Sequence, residues 1–71
     1  MTTQRDIFSK TMLASAAQTD LDAEVKHFEA ACTRGDLAQA EIHRLKARDL
    51  LDILLDLKAE TIRLVLSVGQ L

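Results

Sequence analysis

Proline, tryptophan and tyrosine are absent from this 71-residue sequence, glycine occurs twice and cysteine once. With no proline, no position is barred from continuing a helix. A single cysteine, Cys32, excludes an internal disulfide. Two histidines beside that cysteine are too few for a tetrahedral zinc site of sulfur and nitrogen ligands. No stretch approaches the ~20 consecutive apolar residues of a membrane span. Met1 to Ala17 carries Arg5, Asp6 and Lys10 and lacks a continuous apolar run, so it makes a poor secretory signal. Together with the free thiol this points to a cytoplasmic protein. The net charge of −2 argues against broad nucleic-acid binding, which wants a basic face.

What remains is dominated by alanine, leucine, glutamate, lysine, arginine and glutamine, the strong helix formers. Hydrophobic residues make up 48% and charged residues 28%, a balance that suits a folded helical chain rather than a disordered one. The length allows one domain, residues 1–71. So short a chain buries only about 60% of its unfolded surface, and its core is marginal. Disulfide and zinc being excluded, association is the expected source of extra stability.

Thr2 or Thr3 can cap a first helix running to about Ala17, with Ile7, Phe8, Met12 and Leu13 as its apolar contacts. Gln18, Thr19 and Asp20 form a polar interval, and Thr19 with Asp22 resembles a capping box, so a break there is expected but not enforced. Leu21, Val25, Phe28 and Cys32 then fall on one helical stripe. Arg34 suits the negative end of the macrodipole, Gly35 stops the helix as a left-handed residue, and Asp36 opens the next helix as N-cap with Gln39 three residues on. The Gly35-Asp36 junction therefore reads as a tight turn between antiparallel helices. The segment from Leu37 to Val68 holds no breaker and would span about 50 Å as one helix. Its apolar face is expected to swing round the axis: Ala38, Ile42 and Leu45 share a stripe whose continuation, through Asp49, Asp52, Asp56, Glu60, Arg63 and Ser67, is polar. The second half instead offers Leu50, Leu54, Leu57 and Leu64 on one flank and Leu51, Leu55, Ile62 and Leu66 on another. Gly69-Gln70-Leu71 reads as a fraying end.

Four groups could carry chemistry. Glu24 and His27 form the Glu-x-x-His of di-iron carboxylate bundles, but the second such motif is missing, since His43 follows Glu41 by two residues; a solvated face is the plainer reading. Cys32 shares a stripe with Val25 and Phe28 and reads as a small core residue rather than a reactive thiol. Arg34, His43, Arg44, Lys46 and Arg48 make a basic stretch that could meet RNA phosphates. Asp36, Glu41 and Asp49 interrupt it, no aromatic interleaves it, and Glu41–Arg44 and Arg48–Asp52 are spaced as helix ion pairs. Asp49, Asp52 and Asp56 share a stripe, but a general acid or base needs a desolvating pocket that a few helices do not build. No catalytic residue, cofactor or metal ligand is expected, so the chain reads as a non-enzyme.

The segment Leu21 to Gly35, ending Cys32-Thr33-Arg34-Gly35, and the leucine-rich Ala47 to Leu57 resemble the small needle-subunit co-chaperones of bacterial type III secretion systems, which are short cytoplasmic helical hairpins with a small-residue turn. The resemblance covers about half of the chain and rests on size, pattern and turn placement. It implies pairing with a larger helical-repeat chaperone, the pair holding the secreted needle subunit soluble until export. The basic stretch His43 to Arg48 has no counterpart in that family.

The expected fold is all-α, a helical hairpin turning at Gly35-Asp36, with a first helix either separate from or continuous with the second. Leu21, Val25, Phe28, Ile42 and Leu45 are expected to form the internal seam. Leu51, Leu55, Ile62 and Leu66, with Ile7 and Phe8, are expected to face a protein partner, because uncovered apolar area costs about 25 cal/mol per Å² and the chain is short of covering residues. Two other readings stay open: a homodimeric helical bundle that binds RNA or another protein through its basic turn region, and a purely structural homo-oligomer.

Overall fold

The computed structural model describes residues 2–69, with side chains from residue 4 onward. It is an all-α hairpin of two long helices, α1 (Thr2–Arg34) and α2 (Leu37–Gly69), packed against each other over an elongated body 54 Å long and 14 by 12 Å across. The caps expected from Thr2 and Thr3, and the chain beyond Gly69, lie outside the described side chains and residues respectively.

The turn forms as its two residues demand. Gly35 sits at φ +75°, the left-handed region. Its N–H donates to the Cys32 carbonyl at 3.0 Å, and the Asp36 N–H donates to the Ala31 carbonyl at 2.9 Å. These are the two bonds of a Schellman cap, which satisfy carbonyls that the end of α1 would leave unpaired. Asp36 then starts α2: its Oδ1 accepts from the Gln39 N–H at 3.1 Å and its carbonyl accepts from the Ala40 N–H at 3.0 Å. The capping box stays half closed, because the Asp36 N–H that Gln39 would have to meet is already given to Ala31. A Cβ added at Gly35 would meet nothing within 4 Å, so the cost of substitution there lies in the backbone alone. Gly35→Val is expected to lower stability by about 1–2 kcal/mol, the penalty of a β-branched residue at positive φ. Thermal unfolding checks it, and an unchanged midpoint would show that the cap contributes nothing.

The break expected at Gln18–Asp20 does not occur, and α1 is one continuous helix. Thr19 caps nothing; its hydroxyl donates back to the Ser15 carbonyl at 3.1 Å, as Thr11, Thr33 and Thr61 do to the carbonyls four residues before them. Gln18 Nε2 donates to Asp22 Oδ1 at 3.0 Å and spans the interval as an i,i+4 pair. With neither glycine nor proline to stop it, the polar interval is simply a polar turn of helix.

Burial along both helices follows a seven-residue repeat. The shielded positions of α1 are Ile7, Lys10, Ala14, Ala17, Leu21, Glu24, Phe28 and Ala31, in alternating steps of three and four. Those of α2 are Ala40, His43, Ala47, Leu50, Leu54, Leu57, Thr61 and Leu64 in the same alternation, with Ala59 the one further shielded residue. This is the spacing at which two helices keep one seam facing a neighbour, as in a coiled coil. It corrects the expected seam. Leu21 and Phe28 belong to it, but Val25, Ile42 and Leu45 are exposed at 38, 43 and 37% and lie beside it. Cys32 is likewise exposed. The two possible stripes on α1 share Leu21 and Phe28 and diverge at 24/31 against 25/32. The small Ala31 and the ion-pairing Glu24 turn inward, where the facing helix also presents small residues, Ala40 and Ala47. The apolar face of α2 does not swing either. Its seam runs straight from Ala40 to Leu64, and the apparent change of direction came from counting Ile42 and Leu45 as inward residues.

Candidate functional site: an exposed apolar surface beside an alanine-rich seam

The seam is thin. Among the described residues the buried ones are Ala17, Ala31, Ala40 and Leu54, and no large side chain is completely enclosed. Fourteen large apolar side chains are exposed instead, Leu37, Phe8, Ile62 and Leu66 among the most. Alanine at the shielded positions lets the helices approach closely but removes little apolar area from water, since full burial of a leucine-sized side chain is worth about 1.5–3 kcal/mol and an alanine contributes a fraction of that.

Of the residues expected to face a partner, Leu51, Leu55, Ile62 and Leu66 are exposed at 42, 55, 59 and 59%, and Phe8 at 66%. Ile7 differs: it occupies a seam position and is partly shielded. The exposed set does not form one patch. Leu51, Leu55 and Ile62, with Val65, lie along one edge of α2, and Leu66 lies on its outer side. Between the edges of the two helices runs an open groove, lined on α1 by Thr11, Ser15 and Gln18 and on α2 by Leu54, Lys58 and Ile62. Lys58 is the one charged side chain lining it. The α1 wall is small and polar, the α2 wall large and apolar.

A polar cluster nearer the turn was not legible in the sequence. His43 Nδ1 lies 2.6 Å from Glu24 Oε2, and the His27 ring stacks on that of His43 with centroids 5.1 Å apart and planes 27° from parallel. The two histidines come together with Glu24 because the hairpin folds residue 27 level with residue 43. A carboxylate only accepts, so the contact places the imidazole proton on Nδ1. The contact with His43 holds the Glu24 carboxyl below the usual glutamate range, against the opposing effect of partial burial, and Lys46 and His27 pull it the same way. Glu60 is lowered by Lys10, and Glu41 by Arg44, whose guanidinium is raised in turn. Each carboxylate whose folded value is depressed contributes stability that is present above its unfolded value and lost as pH falls through the folded one. The hairpin is therefore expected to unfold more easily at about pH 3 than at about pH 6, and Glu24→Gln to flatten part of that slope. Thermal melts across the range test this, and a slope unaltered in Glu24→Gln would remove the cross-helix contact from the account.

The Glu41–Arg44 pair forms, with Arg44 Nε and Nη2 donating at 2.8 and 2.6 Å. Arg48 and Asp52 make no such pair among the described residues. Asp49, Asp52 and Asp56 are exposed, and no group of three His, Cys, Asp or Glu among the described residues is arranged to hold a metal ion. Of the basic stretch, Arg44 and His43 are already engaged by carboxylates. No helix among the described residues is long and apolar enough to cross a membrane. No protein family, curated protein or solved structure matches this chain.

Proposed function

We propose that this chain is a non-enzymatic, cytoplasmic protein-binding hairpin that docks apolar helix faces on a protein partner. One observation carries the reading: among the described residues three alanines and one leucine are buried, while fourteen large apolar side chains stand exposed. A chain that could hide those side chains by itself would place them at the seam, since burying apolar area is the main favourable term in folding. In its most concrete form the proposal is a co-chaperone that pairs with a larger helical-repeat chaperone to hold a secretion-needle subunit soluble. That form is supported by the resemblance of Leu21–Gly35 and Ala47–Leu57 to such proteins and by the hairpin architecture they share.

The test is the state of association. Sedimentation of the purified chain from micromolar to millimolar concentration, and recovery of the tagged chain from its own host, should show it in an assembly of defined composition. A helical, cooperatively melting monomer at every concentration, retaining no protein from the host, would overturn the reading.

A further inference from the structure

We infer that the groove side of the hairpin is a self-association surface, and that two copies pack it face to face with their turns at the same end, forming a four-helix bundle. The inference rests on the reading of the exposed apolar surface as a docking surface, and names the occupant of one side of it.

The groove edges can be followed by steps of seven residues. On α1, Ser15 leads back to Phe8 and forward to Asp22 and Glu29, and Gln18 forward to Val25 and Cys32; on α2, Ile62 leads back to Leu55, Arg48 and Glu41, and Lys58 to Leu51 and Arg44. Phe8 and Val25 apart, the α1 edge is thus small, and it carries two carboxylates and no cation; the α2 edge is large and carries three cations and one carboxylate, Glu41, which Arg44 already meets. In net charge each edge complements the other rather than itself. The opposite side of the hairpin is about as charged, but by the same steps it exposes three large apolar side chains, Leu13, Ile42 and Ile53, where the groove side exposes seven.

A twofold axis between two such faces can run in two ways. Across the hairpin, it stacks α2 on α2 of the other copy, large against large, with the two Lys58 side chains near the axis. Along the hairpin, it stacks each α1 edge on the other copy's α2 edge. The register follows from Lys10 meeting Glu60 and His27 stacking on His43, so Asp22 lies level with Arg48, Phe8 with Ile62, and Ser15 with Leu55. The second arrangement sets Asp22 against Arg48 and sinks Leu55 toward Ser15; it also brings Glu29 level with Glu41, whose charge Arg44 already meets. Two-fold symmetry repeats each match. Covering a face 54 Å long and 14 Å wide buries on the order of 700 Å² per copy, close to the about 800 Å² per partner of a stable interface.

A spin label at Thr33→Cys in a Cys32→Ser background reads the arrangement. Thr33 is exposed on the outer stripe of α1 at the turn end. Turns at one end place the two labels about 25–30 Å apart, from diagonal helix spacing plus linkers. Turns at opposite ends place them about 45 Å apart, most of the length of the hairpin. The shorter distance is expected, with Asp22→Lys and Arg48→Glu each weakening the dimer and the double variant restoring it. The longer distance, or a double variant no better than the singles, would overturn this arrangement while leaving the binding reading intact. A monomer at millimolar concentration that is held by another host protein would overturn self-association alone. A folded monomer with no partner would overturn both.

Discussion

Leu55→Asp and Ile62→Asp are each expected to abolish association while leaving the hairpin helical. Both side chains are more than half exposed in the single chain, at 55 and 59%, so a carboxylate in their place meets water there and costs the free hairpin little. The charge of the replacement costs about half a kcal/mol of helix propensity at most. In an assembly the same carboxylate is enclosed by apolar surface without a partner, and an unpaired buried charge costs several kcal/mol. Two symmetry-related copies of that cost exceed what an interface of modest size supplies. The expected result is wild-type circular dichroism with loss of the assembled species by light scattering. Leu45→Asp, on the outer side of α2 and away from the groove, serves as the control and should associate as the wild type does. If both groove-edge variants kept their assembly, the docking surface would lie elsewhere on the hairpin.

The architecture was readable because its signals are local. Gly35 followed by Asp36 is a stop and a start in two residues, and the structure shows both at work. The absence of proline let each helix run to 33 residues. The continuity of α1 was less readable, because Thr19 and Gln18 can satisfy a helix interior or a helix start equally well, and only the absence of a glycine decided it. The seam was misread for a different reason. A search for large apolar residues at helical spacing finds Val25, Ile42 and Leu45, yet close helix approach is governed by what is small. Ala17 and Ala31 fourteen residues apart on α1, and Ala40 and Ala47 seven apart on α2, were the available signal. Glu24 and His43 were invisible as seam residues because each is acceptable inside only with the other, and a pairing nineteen residues apart depends on the register that the turn sets. Phe8, Leu55 and Ile62 were legible as surplus apolar surface, but which of them share a face depends on where the seam lies. Ile7 illustrates this, one residue from Phe8 and on the seam side of it.

Leu54 gives the second large effect. It is the one large side chain among the buried residues, 4% exposed, and lies midway between Leu50 and Leu57 along the seam. Leu54→Ala removes its apolar area and leaves a gap between two helices where Ala14, the shielded α1 residue lining the same groove, is too small to fill it. Such truncations cost about 2–4 kcal/mol. In a chain of this length that is a large part of the total stability. Leu51→Ala removes the same atoms from a side chain 42% exposed in the single hairpin and should cost the monomer under about 1 kcal/mol. The two variants also differ in how their melting responds to concentration. Association stabilises the folded form by mass action, so Leu54→Ala should melt far below the wild type at every concentration. Leu51→Ala should match the wild type when dilute and fall behind it only where the wild type assembles. Equal losses for the two when dilute would mean that Leu54 is no more enclosed than Leu51. The seven-residue seam, and with it the division of these helices into an inner line and an outer docking surface, would then be wrong.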